Sequence, residues 1–70
     1  MEYVKVIFPE RREVIIDGES GGCTGVRLMI EKGTHRFELS GPKNYKPKWR
    51  QPVVKDTTFV SPMMVTFEKV

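Results

Sequence analysis

The stretch Val14-Ile15-Ile16-Asp17-Gly18 constrains this chain more than any other. Three β-branched residues in succession favour extended backbone, and Asp-Gly then supplies the positive φ that a tight reversal demands. The reading is a strand over Glu13 to Asp17 that ends in a turn, with Asp17 and Gly18 as structural turn residues. Val14 and Ile16 share one face by the period of two, while Ile15 points the other way. The next segment, Gly18 to Gly22, holds three glycines in five residues and reads as an exposed loop.

Other extended segments are arranged around that reversal. Tyr3 to Phe8 is a first β-prone run, closed by Pro9 because proline cannot donate to a sheet ladder. Val26, Leu28 and Ile30 alternate with Arg27, Met29 and Glu31, and His35, Phe37 and Leu39 alternate with Thr34, Arg36 and Glu38. Glu31-Lys32-Gly33-Thr34 between them predicts a hairpin, with Gly33 as its left-handed turn residue. Gly41 to Trp49 reads as a loop, and Arg50 to Lys55 as an edge strand limited by Pro52. Phe59 and Val60 predict a short further segment, and Met63 to Lys69 a last strand with Val65 and Phe67 facing the core. No window shows helical apolar spacing, and turn signals recur about every 8 to 12 residues, which predicts an all-β fold of about six strands as a small antiparallel two-sheet β-sandwich.

Seventy residues make one domain, 1–70, and a chain of this size buries only about 60% of the surface its unfolded form exposes. That leaves little room for an elaborate catalytic cleft. With 39% hydrophobic and 30% charged residues the composition is that of a globular domain, not of a disordered tail. No apolar run approaches the roughly 20 residues that cross a bilayer as a helix, and Met1 to Lys5 lack the layout of a signal peptide. The expected location is therefore cytoplasmic by default, or the cell envelope if the domain was cut from a longer exported protein. The one cysteine, Cys23, excludes an intramolecular disulfide and any multi-thiolate zinc site.

The order of these features resembles the PEGA domain, a small β-sandwich module of bacterial and archaeal proteins. Pro9-Glu10 precedes Val14, Ile16, Asp17 and Gly18 as in that family's pattern, although Arg11-Arg12 stands where Gly-Ala gives the family its name. Gly22-Cys23-Thr24 is similar to its Gly-x-Thr-Pro, with Gly25 in place of proline, and Leu28 to His35 to its apolar strand, Gly turn and His. Asn44-Tyr45-Lys46-Pro47-Lys48-Trp49 looks like its Gly-Tyr-x-Pro segment, so the resemblance covers about residues 9–69. It implies an antiparallel two-sheet sandwich that serves as a binding or spacer module, with no catalytic residues.

The inventory of reactive groups agrees with a non-enzymatic role. His35 is the only histidine, and a triad would have to recruit Ser20, Ser40 or Ser61 with Asp17 or Asp56. Its register with Phe37 and Leu39 predicts a structural imidazole beside the turn. Asp17 with Glu19 lacks the oxygen-rich loop that calcium needs, and Gly18, Gly21 and Gly22 are followed by no helix or lysine that would make a phosphate loop. No cofactor and no metal are expected.

Charge is the one uneven feature. The net charge is +3, and residues 41–55 carry Lys43, Lys46, Lys48, Arg50 and Lys55 with no acid. With Tyr45 and Trp49 interleaved, the candidate binding residues are Lys43, Tyr45, Lys46, Lys48, Trp49 and Arg50. Such a basic aromatic loop fits an acidic protein surface or a glycan, with aromatic anchors, while nucleic acid held through backbone charge and base stacking is the alternative. The plain structural reading is that the two rings cover the open end of the core and the lysines keep an edge strand soluble. A monomer is expected, association through sheet edges being the competing arrangement.

Overall fold

Asp17 and Gly18 reverse the chain as the sequence requires. In the computed structural model, which describes residues 1–70, their φ angles are 52° and 85°, and Ile16 pairs directly with Glu19 across them. This is the two-residue turn with both corners in the left-handed region, whose twist matches that of the strands it joins. It links β2 (Glu13–Ile16) to β3 (Glu19–Cys23).

The fold is all-β and contains no helix. Around β2 and β3 the remaining strands are β1 (Glu2–Ile7), β4 (Arg27–Ile30), β5 (Gly33–Thr34), β6 (Phe37–Leu39), β7 (Tyr45–Lys46), β8 (Val53–Val54), β9 (Met63–Thr66) and β10 (Glu68–Lys69). They form two three-stranded sheets, β4-β1-β9 and β3-β2-β6, and two short pairs, β10-β7 and β5-β8. Ten strands replace the expected six, because several expected strands are divided between sheets.

The core joins the two larger sheets. Val4 and Val6 of β1, Leu28 of β4 and Val65 of β9 project from one, and Val14, Phe37 and Leu39 from the other, with Tyr45, Val54 and Phe67 completing the cluster. The alternation read in the sequence is the alternation observed: Phe37 and Leu39 are buried, as are Val65 and Phe67. Val26 is the exception on its strand, since it precedes β4 and is exposed.

Four expectations are corrected. The first is the hairpin at Glu31 to Thr34. β4 pairs with β1 in the first sheet, whereas Gly33–Thr34 pairs with Val53–Val54 and β6 with β2, so the chain crosses between sheets here. Gly33 does hold a positive φ of 135°, but at a corner between sheets. Alternation specifies which face of a strand is apolar, not which strand lies beside it. The second is the antiparallel rule: β1 pairs with β9 in parallel, Val4 opposite Met63 through Ile7 opposite Thr66.

The third concerns the glycines after Gly18. They lie in strand β3, where Gly21 is the extra residue of a bulge between Val14 and Ile15. A Cβ on Gly21 would lie 2.5 Å from Cδ1 of Ile16, and one on Gly22 only 2.4 Å from Cδ2 of Leu28. These glycines leave space for core side chains. The fourth is Phe59-Val60, which forms no strand. Thr58 and Ser61 exchange backbone hydrogen bonds of 3.2 and 3.1 Å across it, which puts both residues at the corners of a turn.

Candidate functional site

The basic loop divides into an inner and an outer part. Tyr45, in β7, is buried at 6% exposure, edge-on to Phe67 and Phe8 with centroids 5.5 and 6.2 Å away. Its hydroxyl donates to the Leu39 carbonyl at 3.0 Å and accepts from the Leu39 amide at 3.4 Å. A phenol so placed supports the core and cannot reach a partner, which removes Tyr45 from the binding residues. The structural reading holds for this ring.

Trp49 behaves differently. Its indole is 46% exposed and lies under the Arg36 guanidinium, 4.2 Å from the ring centroid. Phe37 and Arg50 form an antiparallel bridge, with the Phe37 amide donating to Arg50 at 2.7 Å and the Arg50 amide to Phe37 at 3.0 Å. That bridge fixes the backbone beside Trp49, so the indole and the Arg50 side chain are carried by an ordered edge. A cation stacked on an indole contributes about 0.5–1 kcal/mol at an exposed site.

Beside this edge lies an open concavity of about 560 Å³ lined by Lys46, Pro47, Arg50, Thr66 and Glu68. Pro47 follows a cis peptide bond. Arg50 donates through Nη1 to the Thr66 carbonyl at 3.3 Å, and Lys46 faces Glu68 across the β7–β10 pair with Nζ 3.7 Å from the carboxylate. Both members of that ion pair are well exposed, so their attraction is weak and either can exchange its partner for a ligand. Lys43 and Lys48 are exposed outside the concavity. The structure thus brings together Lys46 and Arg50 with Thr66 and Glu68, two residues that the sequence reading did not include. They come from the last two strands, and only their pairing with β1 and β7 shows their position.

Comparison of the chain with protein-family models, with curated proteins and with solved structures gives no match. The residues themselves therefore carry the functional reading.

His35 is the second place where reactive groups meet. Its Nδ1 lies 2.6 Å from Asp17 Oδ2 and its Nε2 lies 2.7 Å from the Glu31 carbonyl oxygen. Both partners are acceptors, so the ring binds best with a proton on each nitrogen. The hydrogen bond to Asp17 raises the imidazole above its ordinary value, assisted by the Glu31 carbonyl. Asp17 is lowered, first by the Arg36 amide that donates to Oδ1 at 2.9 Å and then by His35. Neither ring nitrogen is left to accept a proton from a hydroxyl. Ser20 donates instead to Glu13 at 2.7 Å. The imidazole latches the β2–β3 turn to the corner after β4, a structural part as expected, but one played through polar contacts and not by packing in the register of Phe37 and Leu39 beside a hairpin.

A third cluster, unread in the sequence, centres on Arg12. Its side chain is only 12% exposed and donates to four groups: Ser40 and Pro42 carbonyls at 3.2 and 3.1 Å, Glu10 Oε1 at 2.9 Å and Asn44 Oδ1 at 2.7 Å. Glu10 also accepts from Lys69 Nζ at 2.6 Å, which is the main cause of its lowered pKa. Thr24 completes the assembly, donating to the Glu10 carbonyl and accepting from the Arg12 amide, both at 2.9 Å. Both Nη groups of Arg12 and the Lys69 ammonium are thus engaged within the protein. The cluster holds the 40–44 loop in place and thereby sets the start of β7, from which Lys46 projects.

Proposed function

We propose that this chain is a non-enzymatic interaction or spacer module of PEGA-like type, whose contact surface is the basic concavity lined by Lys46 and Arg50, with Trp49 next to Arg50 in the chain. The observation that carries the reading is the grouping of Lys46 and Arg50 around an open hollow, with a half-exposed indole on the same short segment. An acidic protein segment or an acidic glycan suits such a surface. Carboxylates or sulfates meet Lys46 and Arg50, and the indole supplies an apolar anchor of the kind enriched at interface hot spots. Glu68, the one acid in the hollow, pairs only weakly with Lys46, so an incoming anion can take its place.

Nucleic acid has less support. Stacking platforms for single strands present successive aromatic rings, and with Tyr45 buried this segment offers one.

Amide chemical shifts followed during titration with polyglutamate and with a heparin oligosaccharide test the proposal. The expected result is shifts centred on residues 46–50 and 66–68, abolished by the pair Lys46→Ser and Arg50→Ser. Shifts confined to another face remove the hollow from consideration. A parallel fluorescence titration with single-stranded oligonucleotides at two salt concentrations separates the alternative, because phosphate binding weakens steeply as counterions are released.

A further inference from the structure

The outward face of the β4-β1-β9 sheet has an arrangement that the folding of the domain does not explain. Lys5 of β1 stands directly opposite Arg27 of β4 in the antiparallel register, and like charges so placed repel. Neither takes part in an ion pair. On the other side of Lys5 the register places Met64 of β9, and next to Arg27 on the same face is Met29 opposite Tyr3. Met29 and Met64 are exposed. The sheet therefore carries two unneutralised cations, Lys5 half-buried and Arg27 exposed, flanked by apolar side chains.

The turn at Thr58 to Ser61 extends this face outward. Corner positions of tight turns usually hold Gly, Asn, Asp, Pro or Ser, because those residues fit the backbone and tolerate water. Here they are Phe59, 59% exposed, and Val60, 83% exposed. Phe59 is held in place: its ring meets Tyr3 edge-on at 5.8 Å, and Arg27 lies over it at 4.2 Å. The loop is tied to β1 by Glu2, which accepts from the Thr57 amide and hydroxyl at 2.9 and 2.6 Å. The Glu2 carboxylate is thereby engaged within the protein, and Asp56, at a φ of 57°, forms the bend leading into the loop. The result is an anchored apolar tip beside a cation pair.

We propose that this face docks on a lipid bilayer containing anionic phospholipid, with Val60 and Phe59 entering the interfacial region and Lys5 and Arg27 meeting headgroup phosphates and carboxylates. Two features favour a bilayer over a protein. Val60 is 83% exposed at the tip of the turn, and neither it nor Phe59 lines the hollow, so the occupant must be soft enough to admit an exposed apolar point. The facing cations also match a surface of repeated, mobile anions. Aromatic and aliphatic groups next to Lys and Arg are the composition of interfacial anchors.

Vesicle co-sedimentation of the whole chain tests this directly, using phosphatidylcholine with and without phosphatidylserine at low and physiological salt. The expected result is binding to the mixed vesicles only, weakened by salt. Arg27→Gln and Lys5→Gln each lower partitioning roughly fivefold. Val60→Asp, at a side chain that supports no packing, abolishes it. Val60→Trp in a Trp49→Phe background adds a readout of insertion, with emission shifting to the blue on mixed vesicles. No binding to mixed vesicles at low salt overturns the proposal and leaves the face to a protein partner. Undiminished binding of Val60→Asp, or an unshifted Val60→Trp emission, overturns insertion of the tip. Lys46→Ser with Arg50→Ser removes the hollow proposed above as the contact surface but leaves Lys5, Arg27 and Val60 intact, so the two proposals fail separately.

Discussion

Arg12→Ala is expected to cost this domain about 3 kcal/mol. The figure follows from what the guanidinium holds. Hydrogen bonds to a charged group contribute about 1.5–3 kcal/mol where buried, but much less where water replaces the lost partner. Of the four acceptors, Ser40 and Asn44 lie in part-buried contacts and carry most of the loss. Pro42 is reached at an exposed contact, and Glu10 is 38% exposed, so both add little. The stack on Phe8, with the guanidinium carbon 5.3 Å from the centroid, adds about 0.5–1 kcal/mol. A 70-residue domain has a total stability of about 3.5–10 kcal/mol, so the loss is a large fraction of the whole.

Urea unfolding followed by far-ultraviolet circular dichroism is the assay, with an unchanged m-value expected because the surface exposed on unfolding is nearly the same. Arg12→Lys retains charge without the planar fork and should fall between parent and Arg12→Ala. A cycle with Asn44→Ala isolates the strongest contact, for which a coupling of about 1 kcal/mol is expected. If Arg12→Ala unfolds within about 0.5 kcal/mol of the parent, the 40–44 loop is held by something else and the assignment of Arg12 as its anchor is wrong.

Gly22→Ala should destabilise by at least about 2 kcal/mol, because a Cβ there collides with Leu28 and the backbone holds a φ of 132°; wild-type stability would contradict this packing. Trp49→Ala should cost only about 0.5–1 kcal/mol, that of the stack with Arg36, while weakening polyglutamate binding, whereas Tyr45→Phe should lose about 1 kcal/mol of stability through the stranded Leu39 groups. His35→Ala should cost about 1 kcal/mol, moderated by the exposure of Asp17, and the loss should depend on pH. The raised imidazole contributes fully below its ordinary 6.5 and fades as pH rises through its folded value; the lowered Asp17 contributes above its ordinary 3.8 and fades as pH falls through its folded value. The stability difference between parent and variant should thus be greatest between those ordinary values, and a difference that grows toward pH 9 would rule out the latch.

Local chemistry was readable in the sequence and partnership was not. Asp17-Gly18 specifies its own turn, and the alternation through Phe37 and Leu39 identifies buried side chains, because both depend on backbone preferences and a period of two. Which strand lies beside β4 depends on a contact with β1, more than twenty positions back, and nothing in Glu31 to Thr34 distinguishes a hairpin from a corner between sheets. Gly21 and Gly22 show the same limit: composition presents them as flexible, and only Ile16 and Leu28 reveal that they are small for steric reasons. In the basic loop, Tyr45 and Trp49 are equivalent by composition. The core takes Tyr45, whose ring meets Phe67 and whose hydroxyl meets Leu39, and leaves Trp49 at the rim.

The parallel pairing of β1 with β9 governs the order in which the molecule can form. Val4 must await Met63, and Val6 must await Val65, so the central strand of that sheet stays open on one side until almost all of the polypeptide is in place. Loop-closure entropy is spent before these contacts return anything, and chains with such distant pairings fold in milliseconds to seconds, slower than their size alone would allow. During synthesis on a ribosome, this domain would complete its first sheet only after Thr66 has left the exit tunnel.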